Sequence, residues 1–438
     1  MIQHSLDFRH RIAALLLIAV IGVCSFFSKN HAYIGSDPLG TLIVTDQILE
    51  NGTIKLDAYG PSLSIYGARI HQKNGHSYNY FPLGTALACL PVVAVLKAAG
   101  MDIQNLEPLI QIGITALTSI LTFGLLVRLA LLFCPAGQAL LISCIFWFGT
   151  SLASTAGTAL WSHNFAVVFA LTALIYMMQL ALERKPRVWI IVALCLFASY
   201  LCRPTMSLFV LIAIGFIASY DRVQSFKVIL LDALLFLIFV LFSQKEFGQL
   251  LPDYYVPNRL GEGASLDAWA GNFFSPARGL LVFSPFLLVV WLTKGFKNRG
   301  WRLKPSWLLI GVLWPALHLW AISKFSPWWG GHAFGSRLTI DILPGLFLLT
   351  LYAWPRDRLD GWKEPRRWML GIACIFSIYV HTVQGLMNEY TSAWNRQPDI
   401  DQHSEYLFDW SYPQFLASEE GHIRRLQEAQ KLAPTVLH

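Results

Sequence analysis

The chain has 438 residues, 55% of them hydrophobic and only 13% charged. An ordinary soluble domain carries about twice that charged fraction, which excludes the soluble globular class. The net charge of +7 does not point to nucleic acid, because the Lys and Arg residues cluster in short stretches between apolar runs, the pattern that orients a membrane protein.

The first apolar run, residues 11–28, follows Arg9 and Arg11. Its flanks suit a signal peptide, but no small-residue cleavage site follows, so it reads as a membrane helix that stays attached. Further runs fall at 83–98, 107–133, 138–157, 161–182, 187–201, 204–220, 226–243, 277–294, 305–322, 337–354 and 368–387. A span needs about twenty residues, fewer or more with tilt. The aromatic content of 14%, with 16 Trp, suits belts at both membrane interfaces. The seven Cys lie in or beside the runs without metal-like spacing, so no disulfide framework is expected.

The connections alternate. Those at 183–187, 221–227, 294–304 and 356–367 are basic, whereas 158–163, 202–204 and 323–336 carry few Lys or Arg. The positive-inside rule puts the basic set, and the N-terminus with it, in the cytoplasm. The helix count agrees only if 83–98 lies against the outer interface without crossing. The expected fold is an all-α polytopic membrane protein, with about eleven spans within residues 1–387 and the C-terminus outside. The outer face then receives a first loop at 29–106 with juxtamembrane helices, a loop at 244–276, a short loop at 323–337 and the tail 388–438. No internal repeat is evident, which weakens a transporter reading.

Chemistry-bearing residues fall in those outer segments. Asp37-Pro38 suits an N-cap and first helical residue, with Gly52 ending the helix and Leu39, Leu42, Ile43 and Leu49 as its apolar stripe. Tyr80-Phe81-Pro82-Leu83-Gly84 suits an interfacial turn, and Trp161-Ser162-His163 a helix start. Arg203 and Arg278, each beside a long apolar run, are costly unless they face protein or water. The densest cluster is Lys324 to Arg337, with Trp328-Trp329-Gly330-Gly331-His332 and Gly335-Ser336-Arg337. Trp faces suit sugar rings, Arg suits phosphate, and paired glycines let a backbone approach a ligand closely. An aromatic belt explains the tryptophans but not the Gly-Gly-His and Gly-Ser-Arg pieces. No nucleotide-binding or zinc-type motif is apparent.

These motifs together resemble the GT-C class of membrane glycosyltransferases, in particular the bacterial branch related to dolichyl-phosphate-mannose protein mannosyltransferases. The similarity is carried by Ser36-Asp37, Tyr80 to Gly84, Ser275-Pro276-Ala277-Arg278-Gly279-Leu280, Trp328 to Arg337 and Leu407-Phe408-Asp409-Trp410. It implies a polyprenyl-phosphate sugar donor in the outer leaflet of a bacterial inner membrane, and an acceptor hydroxyl on a glycan, lipid or protein. Asp37 would be the general base, and Arg337, Arg278 and Arg203 would stabilise the leaving phosphate. Trp328, Trp329 and His332 would hold sugar or head group, Tyr80 would form a wall, and His163 would contribute a polar group. Many members carry a second acidic residue beside the catalytic Asp; here that position is Pro38, and Asp46 and Asp57 come later. No metal and no cofactor is expected. The rivals are a transporter or flippase of a lipid-linked saccharide, an O-antigen ligase or polymerase, and an inactive scaffold.

Overall fold

The computed structural model describes residues 5–183, 186–256, 260–261, 265–293, 305–355 and 365–432. The basic connections at 184–185, 294–304 and 356–364 lie outside them. The chain is mostly helical. Helix α1 (Phe8–Phe26) starts at Asp7, whose carboxylate accepts the His10 amide, and α2 (Thr41–Asn51) stops at Gly52 in the left-handed conformation. A hairpin of β1 (Ile70–Lys73) and β2 (His76–Asn79) follows, then α3 (Leu83–Ala98), α4 (Glu107–Leu131) and α5 (Ala136–Phe148). Next come α6 (Ser162–Glu183), α7 (Trp189–Cys202), α8 (Ser207–Ala218) and α9 (Arg222–Phe247). After α10 (Leu266–Phe274), the short α11 (Leu280–Phe283) leads into α12 (Pro285–Thr293), α13 (Pro305–Ile322) and α14 (Leu343–Ala353). Helix α15 (Pro365–Ile378) continues through a π-helical stretch into α16 (Gly385–Met387), and the tail holds α17 (Tyr390–Ala393) and α18 (Glu419–Leu432).

Among the described residues, five helical stretches are long and apolar enough to cross a membrane: α1, α4, Ser162–Ala181 within α6, α9, and Pro365–Met387. Five more apolar helices are shorter, among them α3, α5 and α7. The long ones differ in where their apolar side chains go. The most apolar stretch of α6 is mostly buried, and the helix packs on α4 and α7, whereas the more strongly apolar stretch of α9 is mostly bare. Leu230, Leu237 and Leu241 on α9 are exposed, as are Leu15 and Leu16 on α1. Helices that are apolar all round and bare on the outside belong in lipid, so this is a membrane-embedded protein. One carboxylate breaks that surface. Asp232 lies ten residues into α9, about 15 Å along it, and neither of its oxygens has a hydrogen-bond partner.

Besides its helices the first loop holds the β1–β2 hairpin, turned by Asn74 and Gly75, both at positive φ. One expectation needs correction. Helix α2 begins at Thr41 rather than Pro38, with Gly40 at φ 92° in the cap position. The reason is a cap supplied from elsewhere. The Glu107 carboxylate, at the start of α4, accepts the amides of Gly40 at 2.9 Å and Leu42 at 3.2 Å. Asp37 is therefore not consumed in capping. Helix α3 does begin at Leu83 after Pro82 and packs on α2 and α7, where a Cβ on Gly84 would meet the Leu201 carbonyl. The seven cysteines are all unpaired.

Candidate functional site

Asp37 sits on a backbone held from both sides. Upstream, Arg69 donates from Nε to the Ser36 carbonyl at 2.6 Å and from Nη2 to the Gly35 carbonyl. Downstream, Gln111 donates to the Pro38 carbonyl, and Glu107 holds the next turn. With main chain fixed and cap unneeded, the Asp37 side chain turns to Arg337, 300 positions away. Arg337 Nη1 donates to Asp37 Oδ2 at 2.9 Å. The Arg337 guanidinium lies over the Trp161 ring at 4.4 Å. Its side chain is 11% exposed and Asp37's is 35%, and its Nε, although buried, has no partner.

The loop carrying Arg337 is buttressed from below. Thr155, in a π-helical turn after α5, donates to the Phe334 carbonyl at 2.9 Å. Gly335 takes a positive φ where a Cβ would press on the Phe283 ring. One helical turn beyond Arg337 lies Asp341, fully buried. Its Oδ1 pairs with His163 Nδ1 at 2.7 Å, and its Oδ2 accepts from Thr205 at 2.8 Å and from Arg203 Nε at 3.3 Å. Arg203 Nη1 reaches the Tyr254 hydroxyl at 2.8 Å. A carboxylate satisfied by three side chains is a rigid pivot, and it fixes the direction of Arg203.

Asp37, Arg203, Tyr254, His332, Arg337 and Asp401 line one cavity of about 440 Å³. An apolar pocket adjoins it. Phe81 lines both, and the pocket is walled by Tyr80, Leu83, Phe242, Phe247 and Tyr255. A polar chamber beside an apolar slot can seat a charged head group with a hydrocarbon tail.

The remaining expected site residues are placed as follows. Arg278 is 2% exposed and does not line the cavity. Its Nε donates to the Trp329 carbonyl, Nη1 to the Ala277 carbonyl and Gln414, and Nη2 to the Gly331 carbonyl and Asn395. With every nitrogen engaged, it is a clamp on the 328–332 loop and not a free anion ligand. Trp328 is also interior, packed with Trp394, Ile400 and Leu407. Trp329 donates from Nε1 to Asp401 at 2.7 Å. Tyr80 stacks on His71 at 4.4 Å and lies edge-on to Tyr254. His163 faces Asp341 and is absent from the cavity lining. His332 lines the cavity and pairs through Nε2 with Asp399 at 2.9 Å. Burial works to raise the Asp399 carboxyl, but the His332 hydrogen bond and the Asp401 amide outweigh it and hold it below the ordinary carboxylate value.

Sequence reading missed Asp341, Arg69, Tyr254, Asp399 and Asp401. Asp341 carried a signal, an ionisable residue inside an apolar run four positions after Arg337. Asp399-Ile400-Asp401 carried the spacing that puts two carboxylates together. Arg69 and Tyr254 carried none. No family model and no curated protein matches this chain.

Proposed function

We propose that this chain is a GT-C-like glycosyltransferase, moving a sugar from a polyprenyl-phosphate donor to an acceptor hydroxyl with inversion. The observation that carries the reading is the Asp37–Arg337 pair in a polar cavity joined to an apolar slot. A general base and an anion ligand for a leaving group are the two parts such a transfer requires. The resemblance in sequence supports it independently of the geometry.

The chemistry follows from the pair. Without substrate, Arg337 and Asp37 neutralise each other. A donor phosphate entering the cavity competes for the guanidinium, whose Nε is unpartnered, and Arg203 adds a second cation. Asp37 is then released toward the acceptor. The acceptor O–H gives its proton to Asp37 as its oxygen attacks the anomeric carbon. The anomeric carbon–oxygen bond to phosphate breaks, and its electron pair leaves on polyprenyl phosphate. That leaving group is a stable anion, so no general acid is needed, in contrast to the two carboxylates of glycosidases. Arginines aimed at the developing phosphate charge supply the electrostatic part.

The orientation belongs to the same proposal. About eleven spans in a bacterial inner membrane, with the N-terminus cytoplasmic and the C-terminus periplasmic, would put the cavity on the outer side and the basic connections inside. A flippase of a lipid-linked saccharide is the second reading, and Asp232 on α9 is the feature that favours it. The deciding experiment uses the purified protein in detergent with radiolabelled polyprenyl-phosphate sugars and an envelope extract as acceptor. Covalent transfer is expected, reduced about 10²- to 10⁴-fold by Asp37→Asn with folding unchanged. Substantial transfer by Asp37→Asn removes the base. Movement of label across vesicles into which the protein has been reconstituted, without covalent transfer, replaces the enzyme by the flippase.

A further inference from the structure

The tail does more than cover the loop. Ile400, fully buried beside Trp394 and Leu407, pegs it down between two aspartates. Nitrogen or oxygen atoms of His332, Asp399 and Asp401 then all lie within 4.8 Å of one another. His332 Nε2 is 2.9 Å from Asp399 Oδ1 and 3.7 Å from Asp401 Oδ2. A single ring nitrogen donates at most one proton, so hydrogen bonding alone leaves one of these two carboxylates without the histidine. Two carboxylates so close repel unless a cation sits with them.

We propose that His332, Asp399 and Asp401 bind one divalent transition-metal ion, Zn²⁺ or Mn²⁺, at the rim of the cavity that holds Asp37 and Arg337. The sequence alone had suggested no metal. One imidazole with two carboxylates is a mixed donor set that suits these ions better than Mg²⁺ or Ca²⁺. Tetrahedral ligands at about 2.0–2.2 Å from zinc stand roughly 3.4 Å from one another, and the two separations from Nε2 bracket that value. Side chains outside the triad fix its orientation. Trp329 Nε1 engages Asp401 Oδ1 and leaves Oδ2 toward His332, while Arg278 holds the carbonyls of Trp329 and Gly331.

A separate feature of the same cavity calls for an anion. Arg337, its side chain 11% exposed, lies there with its Nε unpartnered. Three protein ligands leave a coordination position open, and His332 and Asp401 both line the cavity into which it would open. Resting on the glycosyl-transfer reading, the ion would hold the donor phosphate opposite Arg337 and share its charge as the sugar departs. The binding site itself does not depend on that reading.

The test is direct metal binding by the full-length protein in detergent. Protein stripped with EDTA and dialysed is titrated with ZnCl₂ or MnCl₂ alone, by calorimetry with elemental analysis of the product. The site predicts one equivalent bound and a rise in Tm of the wild type. Asp399→Asn and Asp401→Asn should each weaken binding at least about tenfold, while Glu405→Gln, at the exposed His403 pair, should not. If an aspartate variant fails to fold, the wild-type titration and its Tm still decide. No stoichiometric metal on the wild type, or equal affinity in folded aspartate variants, overturns the site. Metal bound without any sugar transfer supports the site and counts against the enzyme; full transfer by metal-free protein supports the enzyme and removes the ion's part in holding the donor phosphate, leaving the titration to decide the site.

Discussion

Arg337 and Arg278 occupy similar settings in the chain, each in a Gly- and Ser-containing loop that runs into an apolar stretch. The fold treats them oppositely. Arg278 spends its nitrogens on the carbonyls of Ala277, Trp329 and Gly331 and the amides of Gln414 and Asn395. Arg337 has one exchangeable carboxylate, a Trp face and an idle Nε. A guanidinium with a full set of neutral acceptors is part of the scaffold. One with a spare donor, opening on a cavity, is available to a ligand. The same test separates Arg203, which lines the cavity and is steered by Asp341, from His163, which only meets Asp341.

The sharpest way to break this contrast is Arg278→Ala. It strands several buried acceptors, each costing about 1–3 kcal/mol, so a stability loss of at least about 4 kcal/mol is expected, read as a collapse of Tm in detergent. A folded but inactive variant would make Arg278 a ligand-binding residue after all. Asp341→Asn comes next. It keeps the shape but removes the charge beside Arg203, and a loss of roughly 3 kcal/mol is expected by thermal unfolding, with weakened donor binding. Arg337→Ala should do the opposite of Arg278→Ala. Asp37 is partly exposed and tolerates losing its partner, so Tm should hardly change, while transfer falls about 10²- to 10³-fold.

The smallest effect concerns the edge of the apolar pocket, lined by Lys73 and Asp253. Lys73 of the hairpin pairs with Asp253, across 180 positions, at 2.9 Å. The Gln249 hydrogen bond, then Lys73, holds the Asp253 carboxyl below its ordinary value against the opposing effect of burial. A carboxyl depressed in the folded state adds stability above its unfolded value, about 3.9, and loses it as pH falls through the lower folded value. Asp253→Asn should therefore cost less than about 1 kcal/mol at neutral pH, after solvent screening, and progressively less as the pH falls through the lowered folded value. A difference that persists in acid would assign the contact to packing and not charge.

Much of the fold was legible because apolar runs and helix boundaries are local. The start of α3 after Pro82, the stop of α2 at Gly52 and the start of α6 at Ser162 were read from neighbouring residues. The hairpin was legible too, since Asn74-Gly75 is a strong turn signal, but apolar runs drew the reading toward helices. The start of α2 was not legible. Its cap comes from Glu107, and nothing near Asp37 announces a carboxylate more than sixty positions away.

By itself the sequence determined the lipid-embedded character, the order of the apolar segments and the short list of charged residues outside them. These follow from hydropathy and local backbone preference, which act over a few residues at a time. Only the tertiary structure decided which of those charges share a space: that Asp37 meets Arg337, that Arg278 is enclosed, and that the tail brings Asp399 and Asp401 to His332. Such pairings arise from helix packing and long-range hydrogen bonds, and no local pattern in the chain encodes them.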